Sequence, residues 1–209
     1  MNIGIIGSGD VAKSLASGCL NLGHRVTMGT RNPEKLIDFT NDKKSILIDN
    51  LSNTCKNSEL IILAVSWKGV ESAIKLMGLE NLTNKIIIDV TNPLKHVDGP
   101  NLALGFDNSG GETIQSLIPH AMVVKALNSV GHDLMINPKF SEGTPDMFIC
   151  GNDENAKTQV TQLIKSFGWN TIDIGNIEES RLLEPLAMIW IKYGFKYNEW
   201  NQAFKLLRH

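Results

Sequence analysis

The residues of this chain that are best suited to chemistry lie where its first apolar run ends. The run Ile3–Ile6 leads into the segment Gly7-Ser8-Gly9-Asp10-Val11-Ala12. Gly7 permits a tight turn from a strand into a helix, Gly9 lets a phosphate approach the backbone, and Ala12 occupies the third small position. Unpaired N–H groups at the start of the helix favour an anion. The segment therefore predicts a site for the pyrophosphate of a dinucleotide.

A second polar segment, Thr30-Arg31-Asn32, ends the next predicted strand. Enzymes that use NAD place an acidic side chain here to hold the ribose hydroxyls, and this segment has none. Arg31 instead offers a guanidinium, which pairs well with phosphate, and Thr30 offers a hydroxyl. The segment predicts binding of NADP(H), whose ribose has an additional phosphate. The alternative for Arg31 is a solvated surface arginine.

Strand and helix patterns alternate along the chain and must position these two segments. The apolar runs Leu60–Val65 and Lys85–Val90 are typical of strands buried on both faces of a parallel sheet. The alternation predicts a Rossmann-type, doubly wound α/β fold with a mainly parallel sheet. We expect a single NADP-binding domain over residues 1–209, of which residues 178–209 form a C-terminal helical extension. The glycine-rich stretch from Thr91 to Gly111 predicts a long loop.

Further polar residues follow other predicted strands, at the sheet edge where ligands bind in open parallel sheets. Ser66 and Trp67 follow one strand, and Trp67 either contacts the nucleotide or packs on the next helix. Thr91 and Asn92 follow another strand, and Asn128 follows a third. Their hydroxyl and amide groups suit the nicotinamide carboxamide, although Thr and Asn also serve as ordinary caps and turn residues.

The sequence has no recognisable acid–base or metal motif. Its five histidines lack ligand spacing, and no Ser-His-Asp order or pair of carboxylates is evident. His132 and Lys125 are the candidate proton donors that we single out. Lys125 lies inside an apolar run, where a charged side chain most often reaches solvent from the outermost strand. We therefore expect Lys125 on an edge strand of the sheet. No catalytic residue is assigned, since hydride transfer between two bound ring systems needs mainly their alignment.

Composition excludes several classes of protein. A formal net charge of −2 over 209 residues gives no basic footprint for nucleic acid or an anionic membrane surface. No apolar run has the length of a signal peptide core or a membrane span. The three cysteines, Cys19, Cys55 and Cys150, are odd in number and widely spaced, which predicts reduced thiols. We therefore expect a cytoplasmic protein without metal, nucleic-acid or membrane partners.

Several short motifs occur together in an order that resembles one family. They are Gly7-Ser8-Gly9-Asp10-Val11, Leu22-Gly23-His24, Gly29-Thr30-Arg31, Val65-Ser66-Trp67, Val123-Val124-Lys125-Ala126-Leu127-Asn128, Cys150-Gly151-Asn152-Asp153 and Ser180-Arg181-Leu182-Leu183-Glu184. On these residues the chain resembles the NADP-dependent oxidoreductases of the deazaflavin coenzyme F420. It is also similar to the cytosolic reductase domain of six-transmembrane ferric reductases.

The resemblance implies roles for individual residues. It places the segment Ser8-Gly9-Asp10-Val11 at the pyrophosphate and Trp67 at the cofactor edge. It adds Lys35 to Thr30 and Arg31 as a ligand of the 2′-phosphate. It further implies a homodimer to which the C-terminal helix contributes, with that helix covering the second ring system.

The chain departs from the family near the predicted acceptor site. Ser66 replaces a proline, Asn128-Ser129 replaces a His-Thr pair, and residues 193–207 differ throughout. The assignment of NADP(H) therefore transfers more directly than that of the deazaflavin. Another flavin, a quinone or a small carbonyl compound stays open as the hydride acceptor.

The sequence predicts an oxidoreductase that transfers a hydride between NADP(H) and a small-molecule acceptor, a deazaflavin or a flavin. Two alternatives stay open. Because no acid or base is visible, the chain could be a non-catalytic sensor of the NADP(H) redox state. It could also be an NADP-dependent dehydrogenase of a small carbonyl substrate, which would require a proton donor such as His132 or Lys125.

Overall fold

The computed structural model describes residues 1–41, 43–96 and 100–207. Within them the strands are β1 (Asn2–Ile6), β2 (Arg25–Gly29), β3 (Leu47–Asp49), β4 (Leu60–Leu63), β5 (Ile86–Asp89), β6 (Leu94–His96), β7 (Pro100–Leu102), β8 (Met122–Lys125), β9 (Asp146–Gly151) and β10 (Asn170–Asp173). Eight of them form one sheet in the order β10-β9-β8-β5-β4-β1-β2-β3. Its strands are parallel except for the antiparallel pair β8 and β9. The predicted Rossmann-type, mainly parallel sheet is confirmed.

Helices cover both faces of this sheet. The α-helices of the described residues are α1 (Asp10–Asn21), α2 (Ile37–Asn41), α3 (Leu51–Lys56), α4 (Val70–Met77), α5 (Gly110–Leu117), α6 (Glu154–Ser166) and α7 (Ser180–Tyr197). Neighbouring residues of the central strands point to opposite faces, so that Ile62 joins the core under α1 and α6 while Ile61 joins the core under α3, α4 and α5. This double burial explains why the central strands are continuously apolar.

The segment after β5 is more regular than a loop. We expected a long loop from Thr91 to Gly111, but Leu94–His96 and Pro100–Leu102 pair as an antiparallel hairpin. The prediction missed the hairpin because its strands are only three residues long and one contains a proline. Residues 97–99 lie outside the described residues.

The C-terminal extension is helical only in part. α7 runs from Ser180 to Tyr197, and Asn198 ends it in the left-handed conformation. The non-helical tail, residues 200–207, returns along α7, where Gln202 Nε2 donates to the Trp190 carbonyl and Trp190 Nε1 donates to the Gln202 carbonyl. The tail then reaches the start of β9, where the amide of Asp146 donates to the Phe204 carbonyl. Residues 208–209 lie outside the described residues.

Candidate nucleotide-binding site

The cleft lies where the strand order of the sheet reverses. β1 has β4 on one side and β2 on the other, and in open parallel sheets ligands bind at the carboxyl ends of such strands. A first cavity of about 280 Å³ opens there. Its lining includes the turn after β1, the segment after β2 and the end of β4, in particular Gly7, Ser8, Gly9, Thr30, Arg31, Asn32, Lys35, Ala64 and Ser66. The two polar segments singled out from the sequence therefore share one cavity.

The two glycines of the turn are required for different reasons. Gly7 has a φ of +142°, and a Cβ there would overlap the Ala64 carbonyl oxygen, so the fold itself requires glycine. Gly9 has a φ of −84°, which any residue adopts, and a Cβ there would meet no described protein atom within 4 Å. Because packing does not require glycine at position 9, the free space above it belongs to the cleft. This fits a pyrophosphate that approaches the first turn of α1.

The tip of β2 presents cations to the same cavity. Thr30 Oγ1 accepts a hydrogen bond of 3.0 Å from the amide of Asn32, which fixes the turn that follows the strand. Arg31 and Lys35 are exposed, and no ion pair joins either side chain to another described residue. Two unpaired cations beside a hydroxyl suit a phosphate on the adenosine ribose.

A second cavity of about 510 Å³ continues from Gly9 toward the tip of β5. Its lining includes Asp10, Val11, Ser66, Trp67, Lys68, Val90, Thr91, Asn92 and Leu94. Trp67 both lines this cavity and packs against the core under α4 and α5, so its packing on the next helix leaves it accessible to a ligand of the cavity. The two cavities share Gly9 and Ser66, and they give an extended ligand one continuous path.

The tips of β5 and β8 are clamped to each other. The amide of Thr91 donates to Asp89 Oδ1 and its carbonyl accepts from Lys125 Nζ, both at 2.9 Å. Asn128 Nδ2 donates to Asn92 Oδ1 at 3.0 Å, and Asn92 Nδ2 donates to the Asn128 carbonyl at 2.8 Å. These bonds fix the orientation of the Asn128 amide, because its nitrogen is the atom that faces acceptors.

Two buried oxygen atoms at these tips have no hydrogen-bond partner among the described residues. They are Thr91 Oγ1 and Asn128 Oδ1. Thr171 Oγ1 in β10, away from both cavities, also lacks a partner among the described residues. A buried polar atom without a partner destabilises the fold by about 1–3 kcal/mol, so such atoms are uncommon in folded proteins. Of the two residues, Thr91 lines the second cavity, so its hydroxyl oxygen fits a carboxamide such as that of nicotinamide, whose N–H groups would satisfy an acceptor.

Three charged side chains are buried together directly behind these tips. Lys125 Nζ lies 2.7 Å from Asp89 Oδ2 and 2.9 Å from Glu184 Oε1, and their side chains are 0–1% exposed. Burial alone lowers the pKa of Lys125, but the two carboxylates raise it above its ordinary value, so the amine stays charged. Lys125 ends a strand between β5 and β9. The expectation that Lys125 lies on an edge strand of the sheet was therefore wrong.

The three cysteines and His132 line neither cavity. Burial raises the pKa of Cys19 and Cys55 to about 12 and that of Cys150 to about 11, so these thiols are protonated at neutral pH. His132 is half-exposed and contacts Asp133, outside the linings of both cavities.

Within the described residues there is no cluster of His, Cys, Asp or Glu that could hold a metal ion. Over that same part of the chain, no helix has the length and apolarity to cross a membrane.

Thirteen of the fourteen predicted cofactor residues line at least one of the two cavities, and the exception is Asn128. Sequence reasoning missed further lining residues, among them Lys68 and Leu94, and it missed Asp89 and Glu184 as partners of Lys125. One signal was available for Asp89. It ends an apolar strand as Lys125 does, and in the sheet the two residues lie side by side in register.

Comparison with known proteins identifies relatives along the whole chain. The family model described as NADP oxidoreductase, coenzyme F420-dependent, matches residues 2–93. The F420-dependent NADP reductase of Methanocaldococcus jannaschii is 30% identical over 99% of this chain and 98% of its own. The crystal structure of a protein from Arthrobacter sp. FB24, assigned as an F420-dependent NADP reductase, is 33% identical, with a TM-score of 0.95 and full coverage of both chains.

Human metalloreductase STEAP2 is 29% identical over 90% of this chain, but this chain spans only 36% of that protein. The relative from Methanocaldococcus jannaschii, in contrast, matches from end to end. These likenesses confirm the resemblance drawn from the motifs, and the chain belongs to the family of F420-dependent NADP oxidoreductases.

Proposed function

We propose that this protein binds NADP(H) in the cleft at the carboxyl ends of β1, β2 and β4 and transfers a hydride between it and a deazaflavin or flavin acceptor. The observation that carries the proposal is the first cavity, which brings the Gly7–Gly9 turn together with Thr30, Arg31 and Lys35. A pyrophosphate site beside two unpaired cations matches a dinucleotide with a third phosphate on its ribose.

The second cavity would hold the nicotinamide end of the same molecule. Gly9, Asp10 and Val11 line its near side, and Thr91 and Asn92 line its far side. The nicotinamide supplies the chemistry, because its reduced ring donates a hydride and its oxidised ring accepts one. The protein would align this ring with the acceptor, through the clamped β5 and β8 tips and the wall formed by Trp67.

The acceptor is proposed from the relatives. One is named an F420-dependent NADP reductase and others are named metalloreductases. This chain has Asn128-Ser129 where the deazaflavin family has His-Thr, so a flavin is proposed beside the deazaflavin. Hydride transfer to either acceptor needs no buried acid or base, because a ring nitrogen of the acceptor can take its proton from solvent.

A panel of acceptors tests this function. We expect the protein to oxidise NADPH with F420 or with FMN, and to leave NADPH unchanged with a ferric chelate, a quinone or a small ketone. The measurement is the initial rate of NADPH loss at 340 nm under anaerobic conditions. Tight NADPH binding without turnover by any acceptor would instead indicate a redox sensor. Turnover with the ketone alone would indicate a carbonyl dehydrogenase.

We also propose that the protein is a homodimer formed through α7. Leu182, Ile189 and Tyr193 are 62%, 60% and 46% exposed, and their spacing places them on one face of the helix. Two copies of α7 packed antiparallel would bury this face and bring the exposed Glu178 near its start to the exposed Lys196 near its end.

The three free, buried thiols suit a reducing compartment such as the cytoplasm.

The dimer is tested by a charge placed within this face. Ile189→Glu should convert the dimer to a monomer, because a carboxylate would have to lose its water at the interface. Sedimentation velocity measures the change. The matched control is Leu79→Glu, since Leu79 is 56% exposed and lies away from α7 in the turn Leu79–Asn81. A wild-type protein that sediments as a monomer, or an unchanged dimer in Ile189→Glu, would contradict the proposal.

A further inference from the structure

The buried cluster of Lys125, Asp89 and Glu184 contains one more negative charge than positive. Asp89 accepts from the Thr91 amide through Oδ1 and from Lys125 through Oδ2. Glu184 accepts from the Gly110 amide through Oε2 at 3.0 Å, and from the Gly111 amide and Lys125 through Oε1. All four carboxylate oxygens accept hydrogen bonds from donors, an arrangement that suits two ionised carboxylates.

The surroundings compensate this charge only partly. Gly110 and Gly111 begin α5, and the start of a helix contributes the equivalent of about half a positive charge. The other two hydrogen-bonding partners, the Thr91 amide and carbonyl, are neutral. With side chains 0–1% exposed, the cluster is also little screened by salt. A net negative potential therefore acts on the groups that lie next to it.

The second cavity is the place where this potential acts on a ligand. Thr91 lines that cavity, and its backbone is hydrogen-bonded to the side chains of both Asp89 and Lys125. Trp67 also lines it. A Cβ placed on Gly110 would lie 2.9 Å from Glu184 Oε1 and 3.2 Å from the ring carbon Cζ3 of Trp67. The cluster is thus separated from the cavity by a single layer of residues.

From this geometry, and resting on the proposed function, we infer that Glu184 and Asp89 determine the preference of the site between the two redox states of the cofactor. When a hydride, a proton with two electrons, leaves C4 of the reduced nicotinamide for the acceptor, the ring keeps a positive charge. A buried net negative charge beside the ring stabilises this oxidised state and not the neutral reduced state. The site therefore favours NADP⁺ relative to NADPH, and it favours donation of the hydride.

Glu184 also holds α7 on the start of α5, so a structural effect has to be separated from the electrostatic one. A structural defect would weaken the binding of every ligand of the cleft. The inferred effect changes only the ratio of the two dissociation constants, that for NADP⁺ and that for NADPH. It does not change the affinity for 2′-phosphoadenosine 5′-diphosphoribose, which has both phosphate sites and no nicotinamide.

The test is isothermal titration of Glu184→Gln with these three ligands. The substitution keeps the size of the side chain and leaves Lys125 and Asp89 as a neutral pair. We expect the affinity for NADP⁺ relative to NADPH to fall about tenfold, as for one partly compensated charge acting over a short buried path. The affinity for the ligand without nicotinamide should stay within twofold of wild type.

Two further variants keep the test decisive. Asp89→Asn removes the other negative charge, and it should shift the ratio in the same direction even where Glu184→Gln folds poorly. Glu112→Gln is the matched control, because Glu112 joins α5 to Arg181 of α7 at the surface, so it should leave the ratio unchanged. An unchanged ratio in both cluster variants overturns the inference. Failure of the wild type to bind either redox form overturns the proposed function instead.

Discussion

Gly9→Val abolishes the binding of NADPH and NADP⁺ and leaves the protein folded; this is the largest effect that we expect of a single substitution. A Cβ at Gly9 meets no described protein atom within 4 Å and its φ of −84° suits any residue, so the fold tolerates the change. The added methyl groups, however, occupy the space above the first turn of α1, where the pyrophosphate is proposed to lie. Titration calorimetry measures the loss, and circular dichroism confirms the fold.

The matched control for this substitution is Gly105→Val. Gly105 also has open space around its missing Cβ, and it lines neither cavity. The control should bind NADPH with wild-type affinity. Normal binding by Gly9→Val would show that the phosphates lie elsewhere.

Arg31→Ala is expected to remove the preference of the protein for NADPH over NADH, which in the wild type should be at least about tenfold. A charge-assisted hydrogen bond contributes about 1.5–3 kcal/mol, and each 1.4 kcal/mol changes a dissociation constant tenfold. NADH has no 2′-phosphate, so its affinity should change little. Titration of both nucleotides against both proteins gives the ratio.

Arg25→Ala provides the control for charge alone. Arg25 is exposed and begins the same strand, β2, that Arg31 follows, so it lies at the opposite edge of the sheet. Its removal changes the net charge equally and should leave the preference intact. Equal affinities of the wild type for NADPH and NADH would contradict the 2′-phosphate site.

Local pattern was sufficient to predict the sheet and most of the cleft. The continuous apolar runs of β4 and β5 are typical of strands buried on both faces, and their parallel alignment follows from the helices between them. Because parallel strands end at one edge, Gly9, Thr30 and Thr91 had to come together although they are far apart in sequence. The site residues that sequence reasoning found are therefore strand-tip residues.

The environment of Lys125 could not be predicted in the same way. A single lysine in an apolar strand is compatible with an edge position, and only tertiary structure reveals its partners. Asp89 is 36 residues away in sequence, and Glu184 reaches the cluster from α7, across the start of α5. Lys125 would lie on an edge strand if the sheet ended at β8. It does not, because β9 pairs antiparallel with β8 and extends the sheet.

We expect the last turns of α7 and the tail over residues 200–207 to open as one cooperative unit. Trp190 and Gln202 exchange two hydrogen bonds. The ring of Trp200 packs on Gly194, and the ring centroids of Trp200 and Phe195 lie 5.1 Å apart. Opening of any one of these contacts exposes the others, so their amides exchange with solvent together and at a lower free energy than those of the central strands. Because Tyr193 of the proposed dimer face belongs to this unit, self-association would slow exchange here while leaving exchange in the sheet unaltered.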